Sequence, residues 1–182
     1  MNRSLPMVLA WLAPLLMGTA CSQPPSSGQV ATIDSLIVAN HAALLTLREL
    51  DHQRYQQLDS LNRTHGQAIR ARFSDTLRPE EAQLLAPIYL GLREAARMGQ
   101  DQVLLLQRTE QREQRLYLLK EDLLAARIPM REATAYIDLE RRARTHDHQQ
   151  VLTAIANYRT AQGVWEQCDS VEYVLAQADQ QP

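Results

Sequence analysis

From Ala31 almost to its last residues, the chain repeats apolar side chains three and four positions apart, and only two short stretches interrupt the period. That spacing puts them on one stripe of a helix, so the sequence predicts long helices and no alternating strands. A first helix is expected from about Thr32 to Phe73, with Leu36, Ile37, Leu44, Leu47, Leu58, Leu61 and Ile69 on one face. Ser74, Asp75 and Thr76 are cap residues, and Pro79-Glu80-Glu81 suits a first helical turn, so a second helix begins there. It carries Leu85, Ile88, Leu92, Ala95, Val103, Leu106, Leu116, Leu119 and Leu123. Pro87 lacks a backbone donor, which predicts a kink or brief break near Ala86. Ile128-Pro129 closes this helix, because a residue before proline is pushed out of helical angles. A third helix starts near Arg131, with Tyr136, Leu139, Ala143, Ile155, Tyr158, Trp165 and Leu175 turned inward.

Short connections between long helices force neighbours to run antiparallel. The expected fold is therefore all-α, an elongated antiparallel three-helix bundle over residues 31–182 with coiled-coil-like packing. No internal repeat of solenoid length is present. A chain of 182 residues can build one core without a disulfide or metal. Lys and Arg number 19 against 21 Asp and Glu, and the balance argues against nucleic acid as a partner.

Residues 1–20 read as a signal peptide. Arg3 supplies a positive start, Leu5 to Met17 an apolar run, and Gly18-Thr19-Ala20 the small residues before a cut. The apolar run is shorter than the roughly 20 residues a spanning helix needs, and no later segment is read as a span. Leu16, Met17, Thr19, Ala20 and Cys21 resemble the lipobox of bacterial lipoprotein precursors, whose leader ends in small residues followed by cysteine. The likeness covers the first 21 residues only, and Gly18 departs from it, since an aliphatic residue is preferred there. The resemblance implies cleavage before Cys21, acyl chains such as palmitate on Cys21, and their insertion into a membrane leaflet. With Ser22 rather than Asp next, it further implies the outer membrane, facing the periplasm. Gly18 and Ala20 also suit an ordinary signal peptidase, which would leave a soluble secreted or periplasmic protein. Residues 21–30, rich in Pro, Ser and Gln, read as a flexible tether between the lipidated cysteine and the bundle.

Catalytic signatures are missing from the sequence: it has no G-x-S-x-G, no Gly-rich phosphate loop, no H-E-x-x-H and no C-x-x-C. The expectation is a protein that is not an enzyme and takes no cofactor. Cys168 shares a helix face with Trp165 and is expected to pack as a small hydrophobe. Gly66, Gly91, Gly99 and Gly163 stand singly in helical stretches and mark close packing or fraying. His146-Asp147-His148 looks like a ligand cluster, but residues two apart on a helix point in nearly opposite directions. Folding the chain about residues 77 and 129 brings His41, Arg112 or Glu113, and His146 or Asp147 into one cross-section, where the apolar stripes weaken. Three readings of His41, Glu113 and His146 stand: a polar layer that fixes helix register, a merely solvated stretch where the bundle splays, and a transition-metal site. Asp138 and Glu140 precede Arg142 and Arg144 by four residues, a spacing typical of a solvated face of ion pairs.

Leu77-Arg78-Pro79-Glu80-Glu81 is faintly similar to the Leu-Thr-x-x-Gln element of small periplasmic stress chaperones, with Arg for Thr and Glu for Gln. The functional expectation is a lipid-anchored cell-envelope bundle that acts by binding or as a structural component, through a protein partner or self-association on a helical face. The alternative is a periplasmic metal-binding or stress-chaperone module.

Overall fold

The computed structural model of the chain describes residues 26–74 and 79–178. Among them are four helices and no strand: α1 (Ser27–Glu49), α2 (His52–Ser74), α3 (Pro79–Leu124) and α4 (Met130–Ala178). The leader, Cys21 and the turn near residue 77 lie outside the described residues.

The single first helix expected from the sequence is two helices. Leu50 is extended, with φ −74° and ψ 111°. Asp51 restarts the helix, its Oδ1 accepting from the Gln53 amide at 2.9 Å and its carbonyl from the Arg54 amide at 3.2 Å. Across the break, the Gln102 side-chain amide donates to the Leu47 and Leu50 carbonyls at 3.2 and 2.8 Å, groups that the end of α1 would otherwise leave unmet. The signal was a polar residue inside another helix, so local periodicity could not reveal the break.

The start of α1 also differs from expectation. Ser26 and Gln29 form a capping box, so helix begins at Ser27, inside the segment read as tether. Among the described residues α1 is the one helix long and apolar enough to cross a membrane, with a third of the relevant window buried in the bundle. The sequence alone predicts no such segment beyond the leader. The inner face of α1 packs on α3 and α4, and the large apolar side chains Val38 and Leu45 stay exposed on its outer side.

Neither α1 nor α2 packs on the other; both lie against α3 and α4. Three apolar clusters follow one another along the molecule. Ile33, Leu36 and Ile37 of α1 meet Leu116 and Leu123 of α3 and Ala133 and Ile137 of α4. Leu47 meets Leu105, Val151 and Ala154. Tyr55 and Leu58 of α2 meet Leu85, Ile88, Leu92, Ala95, Ala161 and Val164. The order in which these residues meet makes α3 antiparallel to the other three helices. Along the α1–α3 seam runs a ladder of side-chain contacts one heptad apart on α1: the ion pairs Asp34–Lys120 at 2.7 Å and Arg48–Glu110 at 2.9 Å, with the His41–Glu113 hydrogen bond at 2.8 Å between them.

Two stripes are rotated from their expected positions. In α4, Tyr136 and Leu139 are exposed, and the inward series is Ala133, Ile137, Glu140, Asp147, Val151 and Ala154. In the middle of α3, Gln102, Leu105, Thr109 and Arg112 are buried while Val103 and Leu106 are only half-buried. In both helices side-chain size points to the large apolar residues, whereas the inner face mixes polar residues with small and medium apolar ones. α3 continues without a break through Pro87, whose ring is exposed. It ends at Leu124, four residues short of Ile128. Gly91 and Gly99 mark close packing: a Cβ on Gly91 would stand 2.3 Å from Val164, and one on Gly99 3.0 Å from Tyr55. Gly163 has open space around it.

Candidate functional site

Between the first two apolar clusters the inward stripes turn polar. Asn40 of α1 donates to the Thr109 carbonyl of α3 at 3.0 Å, and the Thr109 hydroxyl donates to the Leu105 carbonyl at 2.7 Å. Arg112, 7% exposed, donates through its Nη1 to the Asp147 carboxylate of α4. Its Nε lies 3.1 Å from Glu140 Oε2, an ion-pair separation at an angle that makes no hydrogen bond, so both atoms are buried without a hydrogen-bond partner. Glu140 is shared with Arg115 at 3.5 Å from the exposed side. One buried guanidinium thus stands between two carboxylates of the neighbouring helix.

Of the residues singled out from the sequence, His41 and Glu113 meet, with His41 Nδ1 2.8 Å from Glu113 Oε1 at the edge of this layer. His146 does not join them. It is exposed, its Nε2 lying 2.9 Å from Gln150 Nε2, while Gln150 Oε1 accepts from Arg108 at 2.9 Å. Among the described residues no three His, Cys, Asp or Glu side chains converge as a metal requires. The metal reading therefore draws no support from this geometry. Asn40, Thr109 and Glu140 were missed. Glu140 and Asp147 fall on the four-three spacing that runs from Ala133 to Ala154, and following that spacing through its polar positions would have found them. Cys168 is half-buried beside the third apolar cluster, its thiol 3.2 Å from the Val164 carbonyl, which fits the packing role.

A groove of about 260 Å³ opens between α3 and α4, lined by Gln102, Leu105, Arg108, Gln150, Ala154 and neighbours. It holds one carboxylate, Asp101, which faces Arg97 at 3.4 Å. The groups with displaced ionisation lie elsewhere. Burial, with Tyr158 adding to it, pushes the Tyr55 phenol up to about 12. A hydrogen bond from Arg97 holds the exposed Glu94 carboxyl below its ordinary value. Neither lines this groove. The charged layer ties α3 to α4 through Arg112, Glu140 and Asp147. No protein-family model, no curated protein and no solved structure matches this chain.

Proposed function

We propose that this protein is a lipid-anchored component of a bacterial cell envelope that works by binding or as a structural element, without catalysis. The observation that carries the reading is the leader ending Gly18-Thr19-Ala20 before Cys21, with only a short Ser/Pro segment before the helices begin. A lipid on Cys21 holds the bundle beside a membrane, the outer membrane facing the periplasm being the location the lipobox resemblance implies. Support for a binding role comes from the apolar side chains left on the surface, among them Val38 and Leu45 on α1, Tyr117 and Leu118 on α3, and Tyr136 and Leu139 on α4. Such surfaces suit a protein partner or a second copy of the chain. They also suit the stress-chaperone alternative, which suppression of client aggregation by the purified protein would distinguish.

The anchor is tested by intact mass of the membrane-extracted protein beside a Cys21→Ala variant. The expected result is a chain starting at Cys21 with added acyl mass that the variant lacks. An unmodified Cys21 on the mature chain would replace the anchored protein with a soluble secreted bundle.

A further inference from the structure

On α4 the two acid-to-arginine pairs expected from the spacing are both undone. Arg142 contacts the Asp138 backbone carbonyl at 3.3 Å rather than its carboxylate. Glu140, four residues before Arg144, turns its carboxylate inward to Arg112 and sideways to Arg115. Arg144 is left exposed, and among the described residues no carboxylate lies in ion-pair range of it. Its position continues the inward series Ala133, Ile137, Glu140, Arg144, Asp147, so it stands at the mouth of the α1–α4 seam rather than on the outer face.

That seam is open. One cavity of about 380 Å³ is lined by Ala31, Thr32, Ser35, Leu36, Arg141 and Arg144. A neighbouring one of about 390 Å³ shares Arg141 and Arg144 and adds Thr145 and His148. Arg141 is held only at long range, 3.5 Å from Asp138 and 3.4 Å from the Thr32 hydroxyl. Two guanidinium groups, loosely held or unpaired, therefore converge on a recess whose opposite wall offers the exposed Ser35 hydroxyl. Guanidinium forks and a hydroxyl are the donors that a phosphate ester takes.

We propose that Arg141 and Arg144, with Ser35 across the α1–α4 groove, bind the phosphate of a phospholipid headgroup and dock this face of the bundle on a membrane surface. The lipid source is favoured by what adjoins the groove. Ala31 and Ser35, which line it, begin the series Ala31, Ser35, Val38, Ala42, Leu45 on one face of α1. All five are exposed, and Val38 reaches 68%. An apolar stripe beside arginines that are unpaired or only loosely paired is the arrangement of an interfacial helix, whose apolar side dips in while its cations meet phosphates. α1 starts at Ser27, close behind the proposed anchor at Cys21, which brings this helix first to the bilayer.

The inference rests on the membrane-side location proposed above, and its test is made without the anchor so that the two can fail separately. The mature chain from Cys21, carrying Cys21→Ser and made without its leader, has no lipid of its own. We expect it to sediment with phosphatidylglycerol vesicles and much less with phosphatidylcholine vesicles. The double variant Arg141→Gln/Arg144→Gln should bind the anionic vesicles at least about tenfold more weakly. Val38→Ser/Leu45→Ser should also weaken binding, while Arg131→Gln/Arg159→Gln, the same loss of two charges at exposed positions elsewhere on α4, should not. Equal losses in Arg131→Gln/Arg159→Gln and in Arg141→Gln/Arg144→Gln would reduce the effect to net charge and overturn the site, as would unchanged binding by an Arg141→Gln/Arg144→Gln variant with parental helix content. A melting-temperature rise with glycerol phosphate, abolished by the double variant but without vesicle binding, would keep the phosphate groove and overturn the lipid.

Discussion

Tyr55 shows how a single buried group couples this core to pH. Its ring packs edge-on to Tyr158, the centroids 6.2 Å apart, and its hydroxyl is buried with no hydrogen-bond partner among the described residues. Burial disfavours the phenolate and pushes the group up to about 12 in the folded protein, whereas an unfolded tyrosine ionises near about 10. The neutral phenol thus contributes stability that is fully present below about pH 10 and is lost as pH rises toward the folded value. Tyr55→Phe removes both the titration and the unmet hydroxyl. Urea unfolding should find the variant as stable as the parent near neutral pH, or more stable by about 1 kcal/mol, and less weakened at about pH 11. A clear loss at neutral pH would mean that the hydroxyl has a partner after all.

At the scale of an element, the end of α3 carries the clearest local conflict. The Arg127 amide bonds the Asp122 carbonyl at 2.9 Å and the Ala126 amide bonds the Leu123 carbonyl at 3.0 Å, the pair of bonds that ends a helix through a left-handed residue. That residue is Ala126, with φ 50°, where glycine is the usual choice because a Cβ crowds the following carbonyl. An ion pair, Arg127 Nε to Asp122 Oδ1 at 2.7 Å, stands where a hydrophobic contact often accompanies this turn. Ala126→Gly should stabilise the protein by roughly 1 kcal/mol, read as a higher denaturation midpoint with an unchanged slope. No gain, or a loss, would mean that the turn relaxes in solution to angles alanine accepts. The end of α1 solves the same problem differently, with the Gln102 side chain of α3 closing carbonyls that its own sequence leaves open.

Across the whole molecule, the Arg112–Glu140–Asp147 layer divides the apolar interior, and its sign is a question of desolvation against attraction. A buried ion pair costs about as much to desolvate as its attraction returns, whereas removing one partner strands the others. Arg112→Ala should therefore cost roughly 3–5 kcal/mol. Arg112→Met/Glu140→Met/Asp147→Leu together should match or exceed the parent in chemical denaturation. If the layer sets helix register, the apolar triple variant should show doubled or broadened backbone NMR signals where the parent shows one set. A triple variant as unstable as Arg112→Ala would instead mean that the ionic layer itself stabilises the fold. The ion pairs along the α1–α3 seam are mostly exposed, and each is worth at most about 1 kcal/mol, so they orient α1 more than they hold it.

The helical class of this protein, the starts of α3 and α4, and the level at which His41 meets Glu113 were all determined by the sequence, because helical period and proline position are local properties. Geometry alone carried that reading as far as the right cross-section. Tertiary structure decided which polar residues face inward. Gln102, Arg112 and Asp147 are surface types by composition, and only a partner on another helix makes their burial tolerable, while Thr109 turns its hydroxyl to its own helix and the partly buried Glu140 meets Arg112. The same contacts decided the break at Leu50, which a distant glutamine closes, and the rotation of Tyr136 and Leu139 to the surface. They also decided the state of Arg144. In sequence Glu140 stands ready to neutralise it, but in the fold that carboxylate goes to Arg112, because a buried cation binds a nearby carboxylate more strongly than a solvated one can.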